Sequence, residues 1–572
     1  MNQPEPRSKA YPAMIHDIEH GRMKVPQFQR GFVWKKSKSA ELLDSVVKGY
    51  PVGTFILWKT KEALRSIRDL GGHKLPEPPA GDFIEYVLDG QQRITSIYAT
   101  IKGLAIERDG VTDNFADIYI DLEATDEETI VTSDVTNKDP KTYVRVVDLL
   151  NKGLLFLASY PPKYYNRLEE LKRRFDSYLF STVVLLEAPI NVATEVFERI
   201  NTTGMTLEVF DIMVAKTFDT GRNFDLKEKY DALIKRLKTV KYDTIPPAVV
   251  LQTVSAIIAG NCDKKTILDL NKDVFIDTWP EAVNSIESAV DYFRDFYRIP
   301  VSSLLPYAAI LIPFAYFFYR NKHKPVGDAQ RYLQDFFWRT SLGSRYSSSL
   351  ESRVGQDIKR VDDILAGKLP EYDYNVDYSP KFIRENGRFA VGRSYIKAIL
   401  AIYAYQEPKS FDDKSIIHVD NNKLKQANSR NYHHFFPKAY LNKRIPGDFR
   451  INHIVNITIV DEWLNKRQIR DHAPSVYMKK FKDRNPQLKQ TMETHLIDID
   501  AFGIWDDDFD TFFDKRCQRI SDELASRIIP RTVDKDQPIS SPADTEANEI
   551  EEIASEDDEA DDDLSSEAVA YL

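Results

Sequence analysis

The apolar residues of this chain change their period near residue 224. Upstream, short β-branched and aromatic runs are interspersed with helical stretches. VGTFILW (52–58), FIEYVL (83–88), ADIYIDL (116–122) and VVLLEA (183–188) read as strands, and SKSAELLDSVVKGY (37–50) as a helix with Ser37 as its N-cap. From about 224 to 410 strand signals nearly vanish. Long segments there follow a helical period, among them LKEKYDALIKRLKTV, AVNSIESAVDYFRDFY, DAQRYLQDFFWRTSL and SRVGQDIKRVDDILAG. Residues 411 to about 530 return to a mixed pattern, and beyond 533 the composition is too polar to bury a core. A length of 572 residues exceeds what one core supports. The expected fold is therefore α+β and multidomain: an α+β domain over 10–220, a helical connecting domain over 221–410, a smaller domain over 411–532 and a disordered acidic tail over 533–572.

Charge follows the same division. The whole chain carries −10, but Ser541 to Leu572 holds thirteen acids and no Lys or Arg, so the first 540 residues stand at about +3. Within them, KRLKTVK (235–241) and MKKFKDR (478–484) are basic clusters able to meet phosphates, although a charge run is more often a solvated face. Two cysteines, Cys262 and Cys517, exclude a disulfide framework or a thiolate zinc site and fit a reducing, cytoplasmic setting. The N-terminus lacks the basic flank and apolar run of a secretory signal. Val301 to Tyr319 is uncharged and long enough to suggest a membrane span, but Pro306 and Pro313 interrupt it, and the expectation is a buried core helix with no membrane partner.

Three upstream segments look chemical. VPQFQRGFVW (25–34) gathers Gln27, Arg30 and Trp34 just before a helix. LDGQQR (88–93) ends a strand at Leu88, turns at Asp89-Gly90 and enters a helix through Gln91, Gln92 and Arg93. FERINTTGMTLEVFDIMVAK (197–216) carries Arg199 and Asn201, breaks between Asn201 and Gly204, and restarts with Thr206 as a cap. A strand-turn-helix with glycine at the turn lets backbone N–H groups approach an anion, and an arginine fork adds charge for phosphate oxygens. Asp89 can hold a divalent ion or orient a water. The same spacing also fits a plainer role, in which Asp89 caps the helix and Arg93 pairs with a carboxylate.

In order, Gln29-Arg30 with Trp34, Asp89 to Arg93, and Phe197-Glu198-Arg199-Ile200-Asn201 with Gly204 resemble the N-terminal domain of the GmrSD family of type IV restriction enzymes, a ParB- and sulfiredoxin-like fold. The resemblance covers roughly the first 220 residues. It implies binding and hydrolysis of ATP or GTP at Gln27, Arg30, Trp34, Asp89, Gly90, Gln91, Gln92, Arg93, Arg199 and Asn201, with Asp89 as a catalytic group. No Walker-type loop is present, so the nucleotide would sit in a site of another kind.

Downstream, RNYHHFFPKAYL (430–441) is followed by INHIVNITIVDEWLNKRQI (451–469), a ββα order in which His433, His434, Asn456 and Asn465 can converge. This resembles the HNH, or ββα-metal, nuclease motif, with His434 and Pro437 as its His-x-x-Pro, Asn456-Ile457-Thr458 as its second element and Asn465 on its helix. The resemblance implies His434 as general base, Asn456 orienting it by a hydrogen bond, and His433 with Asn465 holding Mg²⁺ or Mn²⁺. Lys466 and Arg467 would meet flanking phosphates of DNA. His433 stands where many relatives carry an acid, and the third motif position is Asn rather than His, with His453 and His472 as nearby alternatives. Together the two resemblances imply a nucleotide-regulated, metal-dependent DNA endonuclease of antiphage defence acting on modified foreign DNA, compatible with a homo-oligomer. A nucleotide-dependent DNA sensor with a silent HNH site, and an RNase or toxin, are the alternatives.

Overall fold

The computed structural model describes residues 3–26, 29, 31–61, 64, 69–70, 73–74, 76, 81–108, 111–136, 139–200, 208–417, 421, 432–460, 469 and 471–536. The chain forms two compact units, Met1–Lys227 and Glu228–Leu572.

The first unit is built on a five-stranded mixed sheet. Its strands are β1 (Glu5–Ala10), β2 (Met23–Lys24), β3 (Phe55–Thr60), β4 (Ile84–Asp89) and β5 (Leu179–Leu186), in the order β1-β5-β3-β4-β2. β5 runs parallel to β3, β2 parallel to β4, and the remaining pairs are antiparallel. The buried residues of β3 and β4, including Phe55, Leu57, Trp58, Tyr86 and Val87, explain why these runs lie centrally. Three helices, α1 (Tyr11–Glu19), α2 (Lys36–Val47) and α3 (Gln91–Lys102), supply Met14, Ile18, Leu43, Val47, Ile97 and Tyr98 to the same core. The run 116–122 contributes only Tyr119–Asp121, and that to a separate three-stranded sheet with Val131–Thr132 and Tyr143–Arg145.

Ser37 is not the N-cap of α2. The helix begins at Lys36, Lys35 occupies the cap without a side-chain bond, and Ser37 is already helical. Thr206 lies outside the described residues, and the helix Val209–Thr217 that follows it has Glu208 at its cap.

Residues 228–410 and 411–532 lie in one compact unit. The apolar segment 301–319 is not a single helix. It forms two 3₁₀ turns, Ser302–Leu304 and Ala308–Ile310, and the buried helix Leu311–Arg320. Pro313 is the third residue of that helix, where a missing N–H costs nothing. Among the described residues no helix is long and apolar enough to cross a membrane. The helix Ser394–Tyr405 packs against a two-stranded ribbon of Tyr432–His434 and Ile457–Ile459, and the Tyr403 hydroxyl donates to the Ile454 carbonyl at 3.0 Å. The unit extends past 532: Asp534 binds the buried Arg339 through both guanidinium ends, at 2.9 and 2.6 Å, so Val533–Asp536 belongs with the fold rather than with the acidic tail.

Candidate active site

In the first unit, the strand-turn-helix at Asp89-Gly90 forms as its residues require. Gly90 has φ +95°, and a Cβ there would collide with the Phe55 ring. Gly53, at φ +84°, leaves the space that the Arg93 guanidinium fills. That guanidinium donates to the Val52 carbonyl (2.7 Å), the Thr54 carbonyl (3.1 Å) and Asp89 Oδ2 (2.9 Å), and lies 5.0 Å from the Phe55 ring centre. Arg93 therefore clamps the chain entering β3 to the end of β4, and at least three of its donors are committed to the fold. Asp89 does not cap α3, which starts without a side-chain cap bond; about a third of its side chain is open to solvent.

Gln29 and Gln92 tie the chain around Gly31 and Val33 to the end of β4 and the start of α3. Gln29 is buried and its Nε2 donates to the carbonyls of Val87 (2.5 Å) and Leu88 (3.3 Å). Gln92 acts as a backbone surrogate, with Nε2 donating to the Gly31 carbonyl at 3.0 Å and Oε1 accepting from Val33 N at 2.9 Å. Trp34 is half-buried against the core and Gln91 is buried. The helix Ile190–Ile200 packs against β4, but the Arg199 side chain is exposed and paired with Glu195 at 2.6 Å. Gln27, Arg30, Asn201 and Gly204 lie outside the described residues.

In the second unit, His433 pairs with Thr458 and His434 with Ile457 across the ribbon. His433 is buried (4 % exposed) and His434 half-buried. Burial, with the Lys438 ammonium nearby, pushes the His434 pKa down to about 3, although the Asn452 hydrogen bond acts in the other direction. The imidazole is thus neutral at pH 7, the state a proton acceptor needs. Its Nε2 contacts Asn452 Oδ1 at 3.0 Å.

The expected bond from Asn456 to His434 is not made. Asn456 is fully buried and its amide is spent on backbone: Oδ1 accepts from Phe436 N (2.9 Å), and Nδ2 donates to the carbonyls of Phe436 (2.9 Å) and Ile451 (3.1 Å). It pins the loop that follows His434 instead of touching the ring. Pro437 caps the short helix Lys438–Asn442. His453, the nearby alternative, is buried, with Nε2 on the Arg384 carbonyl (3.2 Å) and Nδ1 accepting from Val455 N (3.2 Å), so it has no lone pair for a metal. His472 keeps its Nδ1 on the Ile469 carbonyl at 3.0 Å. Asn465, Lys466 and Arg467 lie outside the described residues, and among the described residues no three His, Cys, Asp or Glu side chains cluster as a metal site.

Two residues escaped the sequence reading. Asn452 is four positions before the motif asparagine and looks like a loop residue. Arg516, fully buried on the helix Phe509–Ala525, donates to the carbonyls of Val455 (2.5 Å), Ile457 (2.8 Å) and His495 (2.9 Å) and stacks 4.8 Å from the Tyr403 ring. It holds the second strand of the ribbon from behind, and burial lowers its pKa. Its place in the helical period, among Phe512, Phe513 and Ile520, was the available signal.

Residues 13–218 match the family described as GmrSD restriction endonuclease, N-terminal domain. The match falls inside the first unit. Over 561 aligned residues the chain is 23% identical to the uncharacterized protein MJ0686 of Methanocaldococcus jannaschii, covering 86% of this chain and 92% of that protein. That share exceeds what residues 13–218 could supply, so the likeness extends into the second unit.

Proposed function

We propose that this chain is a metal-dependent DNA endonuclease of restriction type, with an HNH centre at His434 and a nucleotide-binding regulatory site at the Asp89–Arg93 turn. The observation that carries the reading is the arrangement around His434: a neutral imidazole at the end of a two-stranded ribbon, fixed through Nε2 and followed by a loop pinned by Asn456. The restriction-endonuclease family match of residues 13–218 supports DNA as substrate.

The donor set is the test of the metal. His433 stands beside His434 and offers an imidazole, and Asn465 would complete the pair. An imidazole suits Mn²⁺ better than Mg²⁺, which favours oxygen donors. When bound, such an ion supplies a Lewis acid for the scissile phosphate. His434 takes the proton of the attacking water, Asn456 keeps the loop in place, and Lys466 and Arg467 meet flanking phosphates. In the first unit, Asp89 and the α3 N-terminus face the nucleotide, Gln27, Arg30, Trp34, Gln91, Arg199 and Asn201 complete the binding set, and Arg93 and Gln92 hold the turn in shape. Hydrolysis of ATP or GTP there licenses cleavage of modified foreign DNA in antiphage defence.

The test is a cleavage assay of wild type, His434→Ala and Asp89→Ala on phage DNA with and without base or backbone modification, with Mn²⁺ or Mg²⁺ and ATP or GTP. The reading expects cutting that is lost in His434→Ala and altered in nucleotide dependence in Asp89→Ala. Nucleotide hydrolysis without cutting under every condition would transfer the function to a DNA sensor, and cleavage confined to RNA would make the chain an RNase.

A further inference from the structure

The contact between His434 and Asn452 is not accounted for by the HNH resemblance, which assigned the orienting role to Asn456. Asn456 cannot fill it, because both ends of its amide are held by the backbone of Phe436 and Ile451. Asn452 is built to hold still. It ends a 3₁₀ turn, Phe449–Asn452, whose start is capped by Asp448 accepting from Arg450 N at 2.9 Å. Its own carbonyl accepts from Phe389 N at 3.0 Å, and the preceding Ile451 carbonyl is tied to Asn456. The side chain that reaches His434 therefore projects from a turn fixed at three points.

The chemistry of the contact sets the tautomer. An amide oxygen only accepts, so the His434 nitrogen facing Asn452 Oδ1 carries the hydrogen. In a neutral imidazole the other nitrogen then carries the lone pair. Among the described residues no hydrogen bond reaches that Nδ1. We propose that Asn452 is the positioning residue of the nuclease centre, accepting the His434 Nε2–H so that Nδ1 is held as the proton acceptor for the attacking water. The inference rests on the nuclease reading above. In the step it serves, the water proton passes to Nδ1 and the water oxygen bonds to phosphorus. The bond from phosphorus to the leaving oxygen breaks, and that oxygen takes a proton from solvent.

The test compares Asn452→Leu, of similar shape with no acceptor, and Asn452→Asp, which keeps one, in the full chain with Mn²⁺. Loss of a tautomer-fixing partner costs up to about 10⁴-fold in a serine protease triad; for a neutral amide partner on a half-buried ring, a loss of about 100-fold in kcat is expected. Asn452→Leu should show that fall with KM within about threefold, and Asn452→Asp should recover to within about tenfold of wild type. A second readout needs no turnover: ¹⁵N spectra of histidine-labelled protein, with His434 assigned from His434→Gln, should show Nε2 protonated and Nδ1 bare in wild type and a mixture in Asn452→Leu. Undiminished kcat in Asn452→Leu, an equal fall in Asn452→Asp, or a tautomer insensitive to the Leu variant overturns the inference while the nuclease reading stands. A wild type with the Nε2–H signature that cuts no DNA overturns the nuclease reading, and with it the positioning role of Asn452.

Discussion

Replacing Asn456 with alanine tests how the loop after His434 is held. The side chain is 0 % exposed and makes three hydrogen bonds, all to backbone groups on two segments. Truncation leaves the Phe436 N–H and the carbonyls of Phe436 and Ile451 without that partner at a position closed to solvent. A buried group orphaned in this way costs about 1–3 kcal/mol, and with some relaxation the three together come to about 3–5 kcal/mol. For a folded unit of roughly 300 residues, at about 2.1 cal/mol/K of unfolding entropy per residue, that corresponds to a fall of roughly 5–8 °C in Tm. Aspartate should be no better, because it keeps the acceptor for Phe436 N but sets a carboxylate against two carbonyl oxygens. Scanning calorimetry is the assay, since the chain forms two units and the transition of the second should move while that of the first stays. If both transitions of Asn456→Ala lie within about 1 °C of wild type, the loop is not held by this amide.

His453 and His495 are buried and each is pushed down to about 4, mainly by burial. Their contribution is complete above the unfolded pKa of about 6.5 and is lost as pH falls toward 4, about 3 kcal/mol each; the fall in Tm between pH 7 and 4.5 should be shallower in His495→Gln. Gly53→Ala should lower the Tm of the first unit, because its Cβ would occupy the Arg93 guanidinium at a positive φ, and Arg93→Lys should do the same by losing the fork over Val52 and Thr54; an unchanged transition in both would contradict the clamp. In cleavage assays Mn²⁺ should outperform Mg²⁺, and His433→Asp should narrow the gap by supplying an oxygen donor; equal rates with the two ions in wild type would remove His433 from the metal.

The central strands and the long helices were legible because their patterning is strong: FILW and IEYVL occupy the middle of the sheet, and the helical segments past 224 form where their period places them. The strand Glu5–Ala10 was not legible. EPRSKA has no apolar alternation, and it becomes a strand only because its backbone completes the edge of Leu179–Leu186. The reach of that strand back to Leu179 has the same cause. Segment 301–319 kept its burial but not its continuity, since a proline after a turn ends what composition alone extends. For the candidate site residues the local turn was legible and the contacts were not. Arg93 read as a phosphate ligand on local spacing, and its work as a clamp depends on Val52 and Thr54, some forty residues away.

This division of labour explains why the motifs occur together. Gln29 donates to the carbonyls of Val87 and Leu88 at the end of β4, and Gln92 bonds the backbone of Gly31 and Val33, so two stretches of chain hold each other beside the Asp89 turn. Replacing Gln92 with glutamate would keep the acceptor for Val33 N but set a carboxylate against the Gly31 carbonyl, opening the loop on one side. The clamp from Arg93 to Asp89 would persist, because it uses neither segment of that loop. If the nucleotide is held between loop and turn, Gln92→Glu should raise the KM for ATP or GTP well before it alters the Tm of the first unit. If instead Tm falls with KM unchanged, the loop is a structural cover and the nucleotide binds on the open face of Asp89.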